Sequence, residues 1–237
     1  MAHCSQYAAV TRNYLYTASY DLRYRTGFSG LVGVHSGQHS LHFNSTFWSQ
    51  CGEIIRQLET RVPNTIDFVG DIGAGVCKSG YHGSARALDV SQIRYTDGTY
   101  IDTNASWRGG TADIRRYVGL AAQCRIVVGT VLTAWYNADH QNHIHIDNGT
   151  GFVPIRTTAR SDTTLIQAAC NYLNGETLSI DGAWGPLTEA AYGRLRSRLR
   201  MGCTNPKSNA ADASLFLALI AQTGLNAQAA GVHLGPC

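Results

Sequence analysis

Four histidines and three aspartates fall within two short stretches of this chain. The first runs Ser79-Gly80-Tyr81-His82-Gly83-Ser84-Ala85-Arg86-Ala87-Leu88-Asp89-Val90, and the second Asp139-His140-Gln141-Asn142-His143-Ile144-His145-Ile146-Asp147. In the second, His143, His145 and Asp147 alternate with Ile144 and Ile146. That is the period of a strand with polar side chains on one face and isoleucines in a core. In the first, the spacing predicts Ala85, Ala87 and Asp89 on one strand face, where small alanines leave room for a group above the sheet. A carboxylate buried near two imidazoles needs its charge compensated. A divalent cation does this, and imidazole with carboxylate donors suits zinc. His82, Asp89 and one histidine of the H-x-H pair supply three ligands and leave a fourth position, the mark of a catalytic rather than a structural zinc site. Zinc in such a site lowers the pKa of a bound water to about 7 and polarises a carbonyl.

Those residues need a scaffold, and the hydrophobic pattern supplies one. Helices are predicted over Phe47–Val62, with Ile54, Ile55 and Leu58 at helical spacing, and over Thr111–Ala122. Strands are predicted over Thr65–Val69, Ala85–Ile93, Val127–Trp135 and His143–Asp147, with Asp97-Gly98 as a hairpin turn. The fold class is α+β, with helices packed on a largely antiparallel sheet. From about Ser161 the chain is helical and Ala-rich, with helices expected over Thr163–Leu173, Pro186–Arg200 and Asp212–Thr223. A boundary near residues 152–162 follows, separating a domain over 1–155 from one over 160–237.

The composition narrows the possibilities. Of 237 residues, 44% are hydrophobic and only 15% charged, which argues against disorder. Nineteen Lys and Arg against 16 Asp and Glu give a net charge of +3, too small for a nucleic-acid binder that tracks phosphates. No apolar run approaches the ~20 residues of a membrane span. Seven scattered cysteines without a C-x-x-C pair, in a chain rich in Tyr, Ser, Thr, Asn and Gly, point to disulfides and an extracytoplasmic setting. Met1-Ala2-His3-Cys4 has no signal-peptide pattern, so secretion is expected from composition alone. Of three N-x-[ST] sequons, Asn44, Asn104 and Asn148, the last adjoins the histidine run and is expected to be unmodified.

The order His-x6-Asp followed by His-x-His resembles the zinc metallopeptidases that cut peptidoglycan peptides, the D-Ala-D-Ala carboxypeptidase and lysostaphin-related group. Two departures occur: serine stands one position further from the histidine, and Ala85 replaces a usual glycine. The wider stretch is more similar still to the extensin-like C-terminal branch. Its helix, cysteine, strand and N-x-x-H-x-x-H-x-H-x-D run correspond to Thr111–Ala122, Cys124, Ile126–Leu132, and Asn137, His140, His143, His145 and Asp147. The resemblance covers roughly residues 45–150 and leaves 1–40 unexplained.

It implies a DD-peptidase/Hedgehog-like catalytic domain with His82, Asp89 and His145 as zinc ligands. Carboxypeptidase relatives often carry an acidic base three residues before the last ligand. Asn142 stands there and cannot take a proton at neutral pH. The resemblance therefore moves acid–base work to His143, with His140 assisting; an unperturbed histidine pKa near 6.5 is adequate for it. Cys77 and Cys124 flank the two motifs and are expected to form a disulfide brace. Arg86 either holds a substrate carboxylate or is structural, and its position leaves both readings open. A second histidine group, His35, His39 and His42, has no acidic companion nearby in sequence and is read as polar surface.

In the C-terminal part, Asp181-Gly182-Ala183-Trp184-Gly185-Pro186-Leu187-Thr188 resembles the turn of the small three-helix peptidoglycan-binding domain. Trp184 there fills the core or the binding groove, and Pro186 suits a first helical turn. A disulfide among Cys170, Cys203 and Cys237 would brace so small a unit. The expected protein is a secreted zinc peptidase acting on peptidoglycan, with a monomer expected and neither nucleic acid nor a membrane span involved. The alternatives are a non-catalytic wall binder with a retained metal site, motivated by Asn142, and an iron facial triad. The wide separation of His82 from Asp89 disfavours the triad.

Overall fold

The structure, a computed structural model, describes residues 9–16, 20–27 and 34–231. In chain order the strands are β1 (Val10–Arg12), β2 (Asp21–Arg25), β3 (His35–Gln38), β4 (Leu41–Phe43), β5 (Ile66–Gly73), β6 (Ala87–Tyr95), β7 (Tyr100–Asp102), β8 (Thr130–Leu132) and β9 (Ile144–Asp147). The helices are α1 (Ser45–Arg61), α2 (Thr111–Val127), α3 (Arg160–Asn174), α4 (Pro186–Arg198) and α5 (Ala210–Leu225). The mixed α+β architecture expected from the pattern is present.

Seven strands form one sheet in the order β3-β2-β5-β6-β9-β8, with β7 also on β6. β2 and β5 run parallel; the other described pairs of this sheet are antiparallel. β1 and β4 make a separate antiparallel pair. The N-terminal residues that the sequence left without a role thus extend the sheet.

Local chemistry sets several element ends. Asn44 caps α1, its side-chain oxygen accepting from the Phe47 N–H at 3.2 Å, so the helix starts before the expected Phe47. Asp97 Oδ1 accepts from the Thr99 N–H and hydroxyl, and Gly98 takes the positive φ of +89° that closes the β6–β7 hairpin. α2 continues past Ala122 to Val127, and the expected strand Val127–Trp135 shrinks to β8. Tertiary contacts outweigh the β-branched Ile126 and Val127 here. Cys124 and Arg125 are fully buried on the extra turn, and the Arg125 guanidinium meets the Asp162 carboxylate at 2.9 and 3.0 Å.

α1 and α2 cover one face of the sheet. Leu88, Val90 and Ile146 from the strands meet Cys51, Ile54 and Leu120 from the helices. α5 packs along the outer side of α2 at a glycine pair. A Cβ on Gly224 would lie 2.8 Å from the Gly119 Cα, and one on Gly119 only 2.5 Å from the Leu225 nitrogen. Two backbones approach this closely only without side chains. One buried apolar cluster runs from Leu88 and Val118 to Leu165 and Phe216. Apolar packing is continuous across the change of texture near residues 152–162.

The cysteine brace differs from expectation. Cys51, Cys124 and Cys170 are free and buried. Cys124 points into the apolar core beside Cys51, where burial pushes its thiol up to about 12, and it makes no bridge to Cys77. Cys77 and Cys203 each take part in a disulfide. Cys4 and Cys237 lie outside the described residues. Among the described residues, no helix is long and apolar enough to cross a membrane.

Candidate metal site

β6 and β9 pair so that Asp89 and His145 are direct cross-strand partners, with Ala87 opposite Asp147 and Leu88 opposite Ile146. Alternation then sends Leu88, Val90, Ile144 and Ile146 toward the helices and places Asp89 and His145 on the other face. His82 arrives from a single 3-10 turn, His82–Ser84, that ends in Ala85. Ala85 belongs to no strand: it adopts a left-handed conformation with φ of +55°, and its N–H returns to the His82 carbonyl at 3.1 Å. The expectation of Ala85 in line with Ala87 and Asp89 is corrected by that turn. An L side chain is strained at this positive φ, which glycine would adopt without cost.

Three donor atoms converge. His145 Nδ1 lies 2.8 Å from Asp89 Oδ1, His82 Nε2 lies 3.1 Å from the same oxygen, and the two nitrogens are 3.2 Å apart. Ligands held about 2.0–2.1 Å from a tetrahedral ion stand roughly 3.3 Å from one another, so the spacing fits one ion with little adjustment. The far nitrogen of each imidazole is occupied. His82 Nδ1 donates to the Ala74 carbonyl at 2.7 Å, and His145 Nε2 faces Asp147 Oδ2 at 3.3 Å. These contacts fix the ring orientations and aim the converging nitrogens at one point. Asp147 is held in turn by the Gly149 N–H at 2.8 Å.

The electrostatics match the geometry. Burial alone would raise the Asp89 carboxyl, but hydrogen bonds from His145 and His82 and the nearby His143 hold it well below the usual range. His145 moves the other way, to about 9: burial opposes its charge, and Asp147 and Asp89 outweigh burial. A proton and a divalent ion thus compete for the same nitrogen. His143 is pushed down to about 4, by burial first and then by the neighbouring histidines. Its Nε2 is 3.5 Å from Asp89 Oδ1. Burial also lowers His140, whose ring lies 5.1 Å from that of His143 and 5.8 Å from that of His145. Two sets, His82/Asp89/His145 and His140/His143/His145, could hold a metal ion. The first has donors 2.8–3.2 Å apart and the carboxylate that balances charge.

Other residues singled out in the sequence lie elsewhere. Arg86 donates through Nε to Asn148 Oδ1 at 2.8 Å and through Nη2 to the Asn148 carbonyl at 2.9 Å, tying the end of β9 to the start of β6. Asn148 also donates to Gln50 at 2.6 Å, so its sequon amide is in use within the fold. The Trp184 indole packs on Tyr192 with ring centroids 5.3 Å apart and donates to Glu189 at 2.6 Å. His35, His39 and His42 form no ligand group, but His39 does have an acidic companion: its Nε2 lies 2.8 Å from Asp71 Oδ2. The sequence did not show the partners behind the ligands. Asp147 was visible in the alternation, whereas the Ala74 carbonyl carries no side-chain signal at all.

No curated protein and no solved structure matches the chain. The family model of the extensin-like protein C-terminus matches residues 73–154, the stretch that holds all three converging donors and both neighbouring histidines.

Proposed function

We propose that this protein is a secreted zinc peptidase that hydrolyses peptide bonds of bacterial peptidoglycan, in stem peptides or cross-links, as a carboxypeptidase or an endopeptidase. The observation that carries the reading is the corner made by His82 Nε2, Asp89 Oδ1 and His145 Nδ1, mutually 2.8–3.2 Å apart. The family match over residues 73–154 supports it, as does the peptidoglycan-binding resemblance around Trp184. A DD-peptidase/Hedgehog-like fold and a wall-binding role for α3–α5 are parts of the same proposal.

His82, Asp89 and His145 are the residues that would hold zinc, which when bound supplies a Lewis acid and a nucleophile at neutral pH. His143 stays neutral at pH 7 because it is buried, so its Nε2 can accept a proton or a hydrogen bond at the corner. His140, whose ring lies tilted beside it with centroids 5.1 Å apart, assists. A wall-binding segment on the same chain would raise the local concentration of substrate bonds.

Purified protein is expected to carry about one zinc per chain, as a three-ligand catalytic site would. It should release defined products from muropeptides, read by mass analysis. His145→Ala should lose metal and products together; full activity in that variant ends the proposal. Asn142, in the place of an acidic base, favours one competing reading, a non-catalytic wall binder with a retained metal site. Under that reading zinc is bound and no product mass appears.

A further inference from the structure

The two histidines beside the metal corner share a feature that the ligands lack: each has one ring nitrogen against an asparagine oxygen. His143 Nδ1 is 2.6 Å from Asn142 Oδ1, and His140 Nδ1 is 2.5 Å from Asn137 Oδ1. An amide oxygen only accepts hydrogen bonds, so Nδ1 carries a proton in both pairs, and the neutral ring then keeps its lone pair on Nε2. For His143, Nε2 is the nitrogen that faces Asp89. We infer that Asn142 is a positioning residue that locks His143 in its Nδ1–H tautomer and so presents an unprotonated Nε2 to the metal corner. Asn137 holds His140 in the same way.

Chemistry and packing both support this. The ligand His145 is backed by a carboxylate, whereas the two neighbouring histidines are backed by neutral side-chain amides, which orient a ring without adding charge. Asn142 is half-buried and Asn137 exposed, so water competes less for the Asn142 bond. The loop backbone is fastened independently: the Trp107 indole donates to the Gln141 carbonyl at 2.9 Å, and the Thr103 hydroxyl to the Asn142 carbonyl at 3.3 Å. Replacing the Asn142 side chain therefore leaves the loop anchored. The absence of an acid at position 142 acquires a positive meaning: the residue orients the adjacent histidine and is no vestige of a lost base. The purpose of the lock rests on the proposed peptidase reading; the tautomer itself does not.

The test is a nitrogen-15 spectrum of histidine-labelled full-length protein, metal-free and zinc-loaded, in which long-range couplings report which ring nitrogen carries the proton. His143 is expected to be protonated at Nδ1 and bare at Nε2. Asn142→Leu should release the exclusive Nδ1–H form, and Asn142→Asp, which keeps an acceptor, should retain the Nδ1 proton. An Nε2–H tautomer in the wild-type protein, or an unchanged His143 signal in Asn142→Leu, overturns the inference. On muropeptides, Asn142→Leu should lower kcat about 10- to 100-fold with KM within about threefold and zinc content unchanged. Unaltered kcat overturns the positioning role. If the wild-type protein releases no product, the peptidase reading fails by itself, and the spectra still decide the tautomer.

Discussion

His82, His143 and His145 all turn a ring nitrogen toward one carboxylate, Asp89, whereas His35, His39 and His42 each meet a different partner: Ser91, Asp71 and Thr11. Both groups lie on or next to strands and both are rich in imidazole. The difference lies in the neighbours. Around Asp89, two adjacent strands and a tight turn deliver three rings to one point. Around Asp71, a single ring reaches a fully buried carboxylate. Consequently the two acids shift in opposite directions. Asp89 is held down by its histidines, while burial pushes Asp71 up and His39 only partly offsets it. Histidine density alone does not make a metal site; convergence on a charge does.

The sharpest way to break this comparison is to measure metal uptake. Asp89→Ala should weaken zinc binding by more than about 100-fold, beyond the loss typical of partners behind the ligands. His39→Ala should leave zinc content unchanged. Competition with a coloured chelator reads both, and zinc loss in His39→Ala would show that the second group belongs to the site.

Stability separates the groups next. His39→Ala leaves the Asp71 carboxylate buried without its imidazole and should cost about 1–3 kcal/mol in urea unfolding. A cost near zero would mean that Asp71 finds another partner.

The pH dependence has a defined sign. Asp71 has a raised folded pKa, against about 3.9 when unfolded. The stability tied to it is full below that value and is lost as pH rises through the folded pKa. Unfolding of metal-free wild-type protein and Asp71→Asn across a pH series should show the wild-type advantage shrinking as pH rises. A growing advantage refutes the assignment. Asp89 should behave in the opposite sense, its contribution lost as pH falls.

The smallest effect concerns the turn that aims His82. Ala85→Gly relieves the left-handed strain at φ of +55°, and loses part of the gain to the flexibility of glycine. A net gain of about 0.5–1 kcal/mol is expected, visible as a melting temperature up by about 1–4 °C. A lower melting temperature would show that the Ala85 methyl matters more for packing than its backbone does for strain.

Much of the site was legible in the residues because strand alternation is a local property. His143, His145 and Asp147 had to share a face if Ile144 and Ile146 were buried, and they do. The turn at Asp97-Gly98 and the helix opening at Pro186 are local in the same sense. The extra turn of α2 was not legible: the β-branched Ile126 and Val127 read as the start of a strand, and Asp162, 37 residues along the chain from Arg125, tips the balance toward helix. The Cys77–Cys124 brace failed for a related reason, since flanking two motifs in sequence says nothing about which way a helical cysteine faces.

By itself the sequence determined the periods, the turn chemistry and the inventory of donors, because these follow from backbone geometry within a few residues. Which of nine histidines would gather around one carboxylate was decided only by the tertiary structure. The pairing of Asp89 with His145 spans 56 residues, and that of His39 with Asp71 spans 32. Strand register and core packing must be complete before such pairs meet, and both depend on contacts such as Gly119 against Gly224 that no local propensity encodes.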